Sequence, residues 1–260
     1  MLKGKTALVT GSTSGIGLGM ARALAAEGAN LVLNGFGDAG EIEALRAGLE
    51  QDCGVEVAYS GADMSKPDQI AAMISEAESR FGAIDILINN AGIQHTAKVE
   101  DFPLETWDAI IAINLSSAFH TIRAVLPKMR ARGWGRIINT ASVHGLVASL
   151  EKAAYVSAKH GIVGLTKVVA LETADSGITC NAICPGWVLT PLVQQQVDAR
   201  AAKEGISQAE AKSDLLSEKQ PSREFVTEAQ IAGLACFLCS EAAAQMTGIS
   251  IPIDGGWTAQ

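Results

Sequence analysis

The sequence has no basic segment interleaved with aromatic residues. Its net charge is −8 and its pI is near 5.1, which argues against nucleic acid or an anionic membrane as a partner. The opening Met1-Leu2-Lys3-Gly4-Lys5 lacks an apolar signal core and a cleavage site, so the expectation is a cytoplasmic chain. No apolar run is read as long enough to span a bilayer, and the mean hydropathy is only +0.22. The five cysteines, Cys53, Cys180, Cys184, Cys236 and Cys239, are odd in number and scattered, unlike a secreted disulfide framework. The pair Cys236 and Cys239 lacks a second ligand pair and lies in an apolar, helix-like stretch, which favours core packing. His95, His120, His144 and His160 show no ligand spacing with those cysteines, so no metal is expected. No composition break, repeat or low-complexity tract divides the chain, and residues 1–260 are read as one domain.

What is present is an alternation. Short β-rich runs occur at 6–10, 30–34, 56–60, 84–89, 135–140, 178–183 and 250–253. Several are continuously apolar, which suits strands covered on both faces. Between them lie helix-like stretches at 17–27, 41–51, 66–81, 104–132, 153–173 and 227–240. The pattern predicts an α/β Rossmann fold, a doubly wound parallel sheet of seven strands with helices on both faces. The segment from Gln194 to Glu224 stands apart as polar and rich in Gln, Ala, Lys and Glu. Composition allows either a surface helical hairpin or a helical substrate lid inserted in the domain.

The first strand runs into Thr10-Gly11-Ser12-Thr13-Ser14-Gly15-Ile16-Gly17. Glycine permits a tight turn and a close approach of backbone to a pyrophosphate. The helix that follows turns its N-terminal amides and positive dipole end toward the phosphates. The strand–loop–helix setting makes this a strong dinucleotide signal.

The spacing G-x-x-x-G-x-G resembles that of the short-chain dehydrogenase/reductase family. Further motifs match in order along essentially the whole chain: Asn89-Asn90-Ala91-Gly92, Asn114 after Ile113, Ser142 after the fifth strand, Tyr155-Val156-Ser157-Ala158-Lys159, and Pro185-Gly186 after the sixth. The resemblance implies a catalytic set of Asn114, Ser142, Tyr155 and Lys159. It implies a cofactor site drawn from Gly11, Thr13, Ser14, Gly15, Ile16, Gly17, Asp63, Asn90, Ala91, Gly92, Tyr155, Lys159, Pro185, Gly186, Val188 and Thr190. Tyr155 and Lys159 are four apart on a helix and so share a face. A nearby ammonium is expected to lower the phenol from its ordinary value near 10 toward a usable base. Ser142 would hydrogen-bond the reacting oxygen. In the family, Asn114 supports a proton-relaying water. Each residue alone would more often be structural; their joint spacing behind a nucleotide loop reverses that.

The second strand ends Leu33-Asn34-Gly35-Phe36-Gly37-Asp38. It lacks the usual acid at its tip, but neither Lys nor Arg is there to hold an extra phosphate, so the cofactor expected is NAD. Phe36 either fills the phosphate's space or packs in the ordinary way. The cleft residues Gln94, His144, Lys152 and Gln196, beside Ser142 and Tyr155, are polar enough to hold a small carboxylate, with Trp187 and Trp257 as an apolar wall. The stretches Asn34-Gly35-Phe36-Gly37, Gly92-Ile93-Gln94-His95, Ser142-Val143-His144-Gly145-Leu146-Val147, Cys184-Pro185-Gly186-Trp187-Val188-Leu189-Thr190-Pro191-Leu192-Val193 and Asp254-Gly255-Gly256-Trp257 narrow the resemblance to the family's bacterial D-3-hydroxybutyrate dehydrogenases. It implies NAD-dependent interconversion of (R)-3-hydroxybutyrate and acetoacetate, a hydroxy-acid or keto-acid substrate held by those four residues, and a homotetramer. Leu150 and Glu151 are larger than expected beside a substrate lysine. The alternatives are reduction of another carbonyl, such as a 3-oxoacyl thioester or a sugar, and a non-catalytic dinucleotide-binding regulator. The regulator would have lost the tyrosine or the lysine, and both are present.

Overall fold

Seven parallel strands form one sheet in the order β3-β2-β1-β4-β5-β6-β7. They are β1 Thr6–Val9, β2 Asn30–Asn34, β3 Val57–Ser60, β4 Ile86–Asn89, β5 Gly135–Thr140, β6 Ile178–Pro185 and β7 Ser250–Ile253. The computed structural model describes residues 1–259; Gln260, the last residue of the expected domain, lies outside the described residues. All seven expected strands are present; β2, β5 and β7 have the expected ends, and β1, β3, β4 and β6 each differ at one end by one or two residues.

Alternate residues of each strand serve different cores. Val9, Leu31, Leu33, Ile86, Ile88 and Ile138 pack with Met20 and Leu24 of α1 (Gly15–Ala26), Leu49 of α2 (Ala39–Cys53) and Ile231 and Leu238 of α9 (Glu228–Cys239). Leu8, Val32, Leu87 and Ile137 pack with Ile70 and Met73 of α3 (Pro67–Phe81), Ile122 and Val125 of α5 (Ser117–Arg132) and Val169 of α6 (Ala153–Thr173). This is the two-sided burial that the continuous apolar runs predicted. Cys239 is buried in the first of these cores and Cys236 packs against it.

The expected helix over 104–132 is continuous but not regular. α4 (Leu104–Ile111) passes through a π turn at Ala112–Ser116 before α5 begins. By length and composition Leu104–Arg132 is apolar enough to cross a membrane, contrary to the expectation that no run would be. Ile110, Ala118, Ile122, Val125 and Met129 along it are buried in this fold. The polar segment forms a helical hairpin, α7 (Pro191–Glu204) and α8 (Gln208–Lys219). It begins earlier than its composition suggested, because Thr190 caps α7 and Pro191 sits in the first turn, where its missing N–H costs nothing. Strand order reverses between β1 and β4, so the ligand crevice expected of such sheets opens at their C-terminal ends.

Candidate active site

The glycine loop closes tightly on the end of β4. A Cβ at Gly17 would lie 2.3 Å from the Gly11 carbonyl oxygen and 2.5 Å from Asn90 Nδ2, and one at Gly11 would lie 2.9 Å from Ala91 Cα. Asn90 fastens the two segments: its Nδ2 donates to the carbonyls of Thr10 and Gly11, each at 3.0 Å. Thr10 Oγ1 accepts from the amides of Asn90 and Ala91 at 2.9 and 3.0 Å. Ser14 occupies the N-cap of α1 but makes no side-chain cap bond. The helix therefore presents first-turn amides free of a side-chain cap, as a phosphate requires.

A groove beside this loop is lined by Gly11, Thr13, Ser14, Asn34, Gly35, Phe36, Ala62, Asp63, Met64, Asn90, Ala91, Gly92, Ile93 and Ile113. None of them is Lys or Arg. Phe36 is two-thirds exposed there. Asp38, the acid nearest the β2 tip, is already engaged: its Oδ1 accepts from the amides of Gly40 and Glu41 at 2.8 and 3.0 Å and caps α2. Asn34 Oδ1 accepts from Gly11 N at 3.3 Å, while its Nδ2 donates to the carbonyls of Ser60 and Ala62. One side chain thus ties together the ends of β1, β2 and β3. Asp63 Oδ1 accepts from the Ser65 amide at 2.8 Å. That bond holds its carboxyl below the ordinary value.

Sharing Asn90 and Gly92 with this groove is a cleft of about 190 Å³, smaller than the roughly 300–1,000 Å³ of drug-sized ligand sites. It gathers Ser142, Tyr155 and Lys159 with Gln94, His144, Lys152, Trp187, Gln196 and Trp257. Ile16, Pro185, Gly186, Val188 and Thr190 also line it. Gly15 lies behind Thr190, whose Cγ2 is 3.6 Å from where a Cβ on Gly15 would sit.

Tyr155 and Lys159 stand on the first turns of α6. Lys159 Nζ lies 5.5 Å from the centroid of the Tyr155 ring and donates to the Thr140 carbonyl at 2.6 Å. Burial pushes this ammonium down to about 8. Burial also pushes the Tyr155 phenol up, opposed by a hydrogen bond with Ser142. This corrects the expectation that Lys159 would lower the phenol in this arrangement: the largest influence on Tyr155 is desolvation. Asn114 lies within the π turn and is buried. Its Oδ1 accepts from the Ile93 amide and its Nδ2 donates to the Ile93 carbonyl, both at 2.9 Å. The side chain therefore anchors the segment after Gly92.

Lys152 sits at the N-terminal end of α6 with its Nζ 5.0 Å from the centroid of Trp187. Burial lowers it to about 8. Glu151 before it has φ of 63°, and Leu150 is 92% exposed. This left-handed step turns Lys152 inward and both large neighbours outward, so neither lines the cleft. Trp187 and Trp257 face each other with centroids 5.6 Å apart. His144 meets Trp257 and Tyr155 edge-on. Both of its ring nitrogens have partners: Nδ1 is 3.4 Å from Ser142 Oγ and Nε2 is 2.9 Å from Ser149 Oγ. Burial, reinforced by Lys152, lowers its pKa to about 3. His144 lines the same cleft as Gln94, Lys152 and Gln196, the residues expected with it at a carboxylate.

Two participants escaped the sequence reading. Ser149 carried no motif. Gln220, buried at the end of α8, accepts from the Trp187 amide at 2.9 Å with Oε1 and donates to the Glu224 carbonyl with Nε2. A polar residue just before Pro221, at the end of a hairpin, was the available signal.

A strand–glycine loop–helix, an Asn-fastened β4 end and a Ser, Tyr and Lys in one cleft define a dinucleotide-dependent oxidoreductase. The chain belongs to the short-chain dehydrogenase/reductase family, whose members bind a nicotinamide dinucleotide. Residues 11–258 match the family described as enoyl-(acyl carrier protein) reductase. The chain is 65% identical over 260 residues, the whole of both chains, to a D-beta-hydroxybutyrate dehydrogenase of Cupriavidus necator. It is 56% identical to a D-beta-hydroxybutyrate dehydrogenase of Rhizobium meliloti, over 98% of this chain and 99% of that one. Among solved structures it resembles L-sorbose reductase from Gluconobacter frateurii, complexed with NADPH and L-sorbose. There the TM-score is 0.95 and the identity 30%, over 100% of this chain and 98% of that one.

Proposed function

We propose that the protein interconverts (R)-3-hydroxybutyrate and acetoacetate with NAD. One observation carries the reading: a small cleft is lined by a buried lysine, Lys152, together with Ser142, Tyr155 and Lys159. A four-carbon hydroxy acid has a carboxylate for one end and a reacting hydroxyl for the other. Lys152, with Gln94, His144 and Gln196, grips the carboxylate through charge-assisted hydrogen bonds. Trp187 and Trp257 exclude water from the apolar side. Tyr155 takes the hydroxyl proton in the oxidation, and its burial near Ser142 places that proton transfer away from bulk water. Ser142 donates to the reacting oxygen. Lys159 stands beside the Tyr155 ring in the same cleft. Asn114 holds the Ile93 backbone at the cleft's edge. The bound nicotinamide supplies the hydride acceptor.

The preference for NAD rests on the absence of any Lys or Arg among the groove-lining residues and on Phe36, which covers the space beside the β2 tip. The hydroxybutyrate substrate and its handedness are supported by the names of the two bacterial relatives. α7 and α8 serve as the lid that carries Gln196 to the cleft. Exposed Phe119, Val168 and Leu171 on α5 and α6 support self-association, here read as a homotetramer, and the reading is of a cytoplasmic enzyme.

The test is NAD reduction with both enantiomers of 3-hydroxybutyrate, with a 2-hydroxy acid and with the methyl ester. The acid of R configuration is expected to be preferred by at least about tenfold over the ester, the low end of one lost charge-assisted bond. Lys152→Ala is expected to erase that preference. Equal use of acid and ester by the unaltered protein would replace this reading with a general carbonyl reductase.

A further inference from the structure

Phe36 lines the groove beside the β2 tip, and its neighbours in sequence do not hold it there. On one side Asn34 is fixed by hydrogen bonds with Gly11, Ser60 and Ala62. On the other Asp38 caps α2. Between them lie Gly35, Phe36 and Gly37. The two glycines have φ of 151° and 158°, and glycine is the residue whose backbone turns most freely. The Phe36 ring is exposed and belongs to no hydrophobic core among the described residues. Its direction is set instead by the two peptide units that meet at its Cα. A peptide unit is planar, so pinning the units on both sides of a Cα fixes that residue's φ and ψ. Here a side-chain hydroxyl pins each unit. Thr13 Oγ1, in the glycine loop, donates to the Phe36 carbonyl at 3.0 Å. Tyr59 Oη, on β3, donates to the Gly35 carbonyl at 2.8 Å. Tyr59 pairs with Leu33 across the two strands, and its phenol reaches the first residue beyond β2. Gly61 leaves it room: a Cβ there would lie 3.2 Å from the phenol oxygen.

We propose that Tyr59 is a positioning residue for the choice of dinucleotide. Its hydroxyl pins the Gly35–Phe36 peptide and so keeps the Phe36 ring across the space that the extra phosphate of NADP would take. The inference rests on the NAD reading of the groove and adds what enforces it. Thr13 cannot be separated from the cofactor in the same way, because the glycine loop it belongs to would also meet the pyrophosphate. Tyr59 lies outside the groove-lining residues. Without its bond one of the two peptide units is released, and the glycines on either side let the ring swing away. NAD then loses a preformed wall beside its adenosine. NADP gains room but no cation, since none lines the groove. Neither change touches Ser142, Tyr155 or Lys159, which line the neighbouring cleft.

The experiment is a double-mutant cycle read by dinucleotide affinity, which needs no substrate. Kd for NAD and for NADP is measured by calorimetry in the unaltered protein, in Tyr59→Phe, in Phe36→Ala and in the double variant. Tyr59→Phe keeps the ring and removes only the donor. It should lower the preference for NAD over NADP about three- to tenfold, the size of one net hydrogen bond. In the Phe36→Ala protein the same change should move the preference by less than about twofold, because Tyr59 acts through that ring. A preference present in the unaltered protein but untouched by Tyr59→Phe overturns the inference and leaves the NAD reading standing. So does an equal drop in the Phe36→Ala background, which would mean that Tyr59 acts elsewhere. Equal Kd for the two dinucleotides in the unaltered protein overturns the NAD reading, and this role with it.

Discussion

Lys152 stands over Trp187, its ammonium 5.0 Å from the ring centroid, and burial has brought it down to about 8. The charge that would hold a carboxylate is therefore lost as pH rises through about 8. We expect kcat/KM for 3-hydroxybutyrate to fall on that limb relative to its methyl ester. Lys159, also pushed down to about 8, affects both substrates alike, so the acid-to-ester ratio isolates Lys152. The pH profile of that ratio checks the point; a flat ratio from pH 7 to 10 would count against the carboxylate grip. Stability carries its own sign. Both lysines have folded values below their ordinary 10.5, so the unfolded chain binds more protons between about 8 and 10.5. Across that window these two groups make stability rise with pH.

Tyr155→Phe keeps the ring and removes the titrating hydroxyl. Turnover should fall at least about a hundredfold, the low end of general acid–base contributions. Dinucleotide affinity, measured by fluorescence titration or calorimetry, should change little. Near-normal turnover would mean the proton leaves by another group.

The β2 tip separates two substitutions that look equivalent in sequence. A Cβ at Gly35 would lie 2.7 Å from Thr13 Oγ1, and Gly35 has φ of 151°, a conformation that side chains rarely adopt. Gly35→Arg should therefore distort the glycine loop and weaken both cofactors. Phe36→Arg, at an exposed position, should improve kcat/KM for NADP. Steady-state constants with both cofactors decide this. Equal efficiency of the unaltered protein with NAD and NADP would refute the cofactor preference.

The hairpin of α7 and α8 should exchange amide hydrogens faster than the sheet in the free protein. Over residues 194–224 it should gain protection when NAD and substrate are both bound. Hydrogen exchange by mass spectrometry reads this peptide by peptide. Unchanged protection would leave a surface hairpin that does not close.

The sheet was legible because burial on both faces writes itself as uninterrupted apolar runs, and β5 begins and ends where the sequence puts it. The site was legible where residue type and spacing coincide, as in Tyr155 and Lys159 on one helix face. What escaped was whatever depends on backbone conformation between elements. The π turn around Asn114 leaves no mark in an apolar helix pattern. The inward turn of Lys152 follows from the left-handed Glu151, a residue type that does not announce such a conformation. Asp38 was visible near the β2 tip, but only the helix start behind it reveals that its carboxylate caps α2. His144 was rightly brought to the cleft, yet its partner Ser149 was invisible because a lone serine in a loop has no pattern.

The α7–α8 segment leaves and rejoins the sheet almost at one point. Val188 pairs with Val226, the Val226 amide donates to the Trp187 carbonyl at 2.8 Å, and Gln220 holds the Trp187 amide from the other side. A loop clasped at its base resembles a cassette plugged into a fixed socket. Doubling the length of a flexible loop adds only about 0.6 kcal/mol to its closure cost, so the socket tolerates cassettes of different size and lining. Evolution can thus exchange what covers the cleft without retuning Tyr155, Lys159 or the strands beneath them.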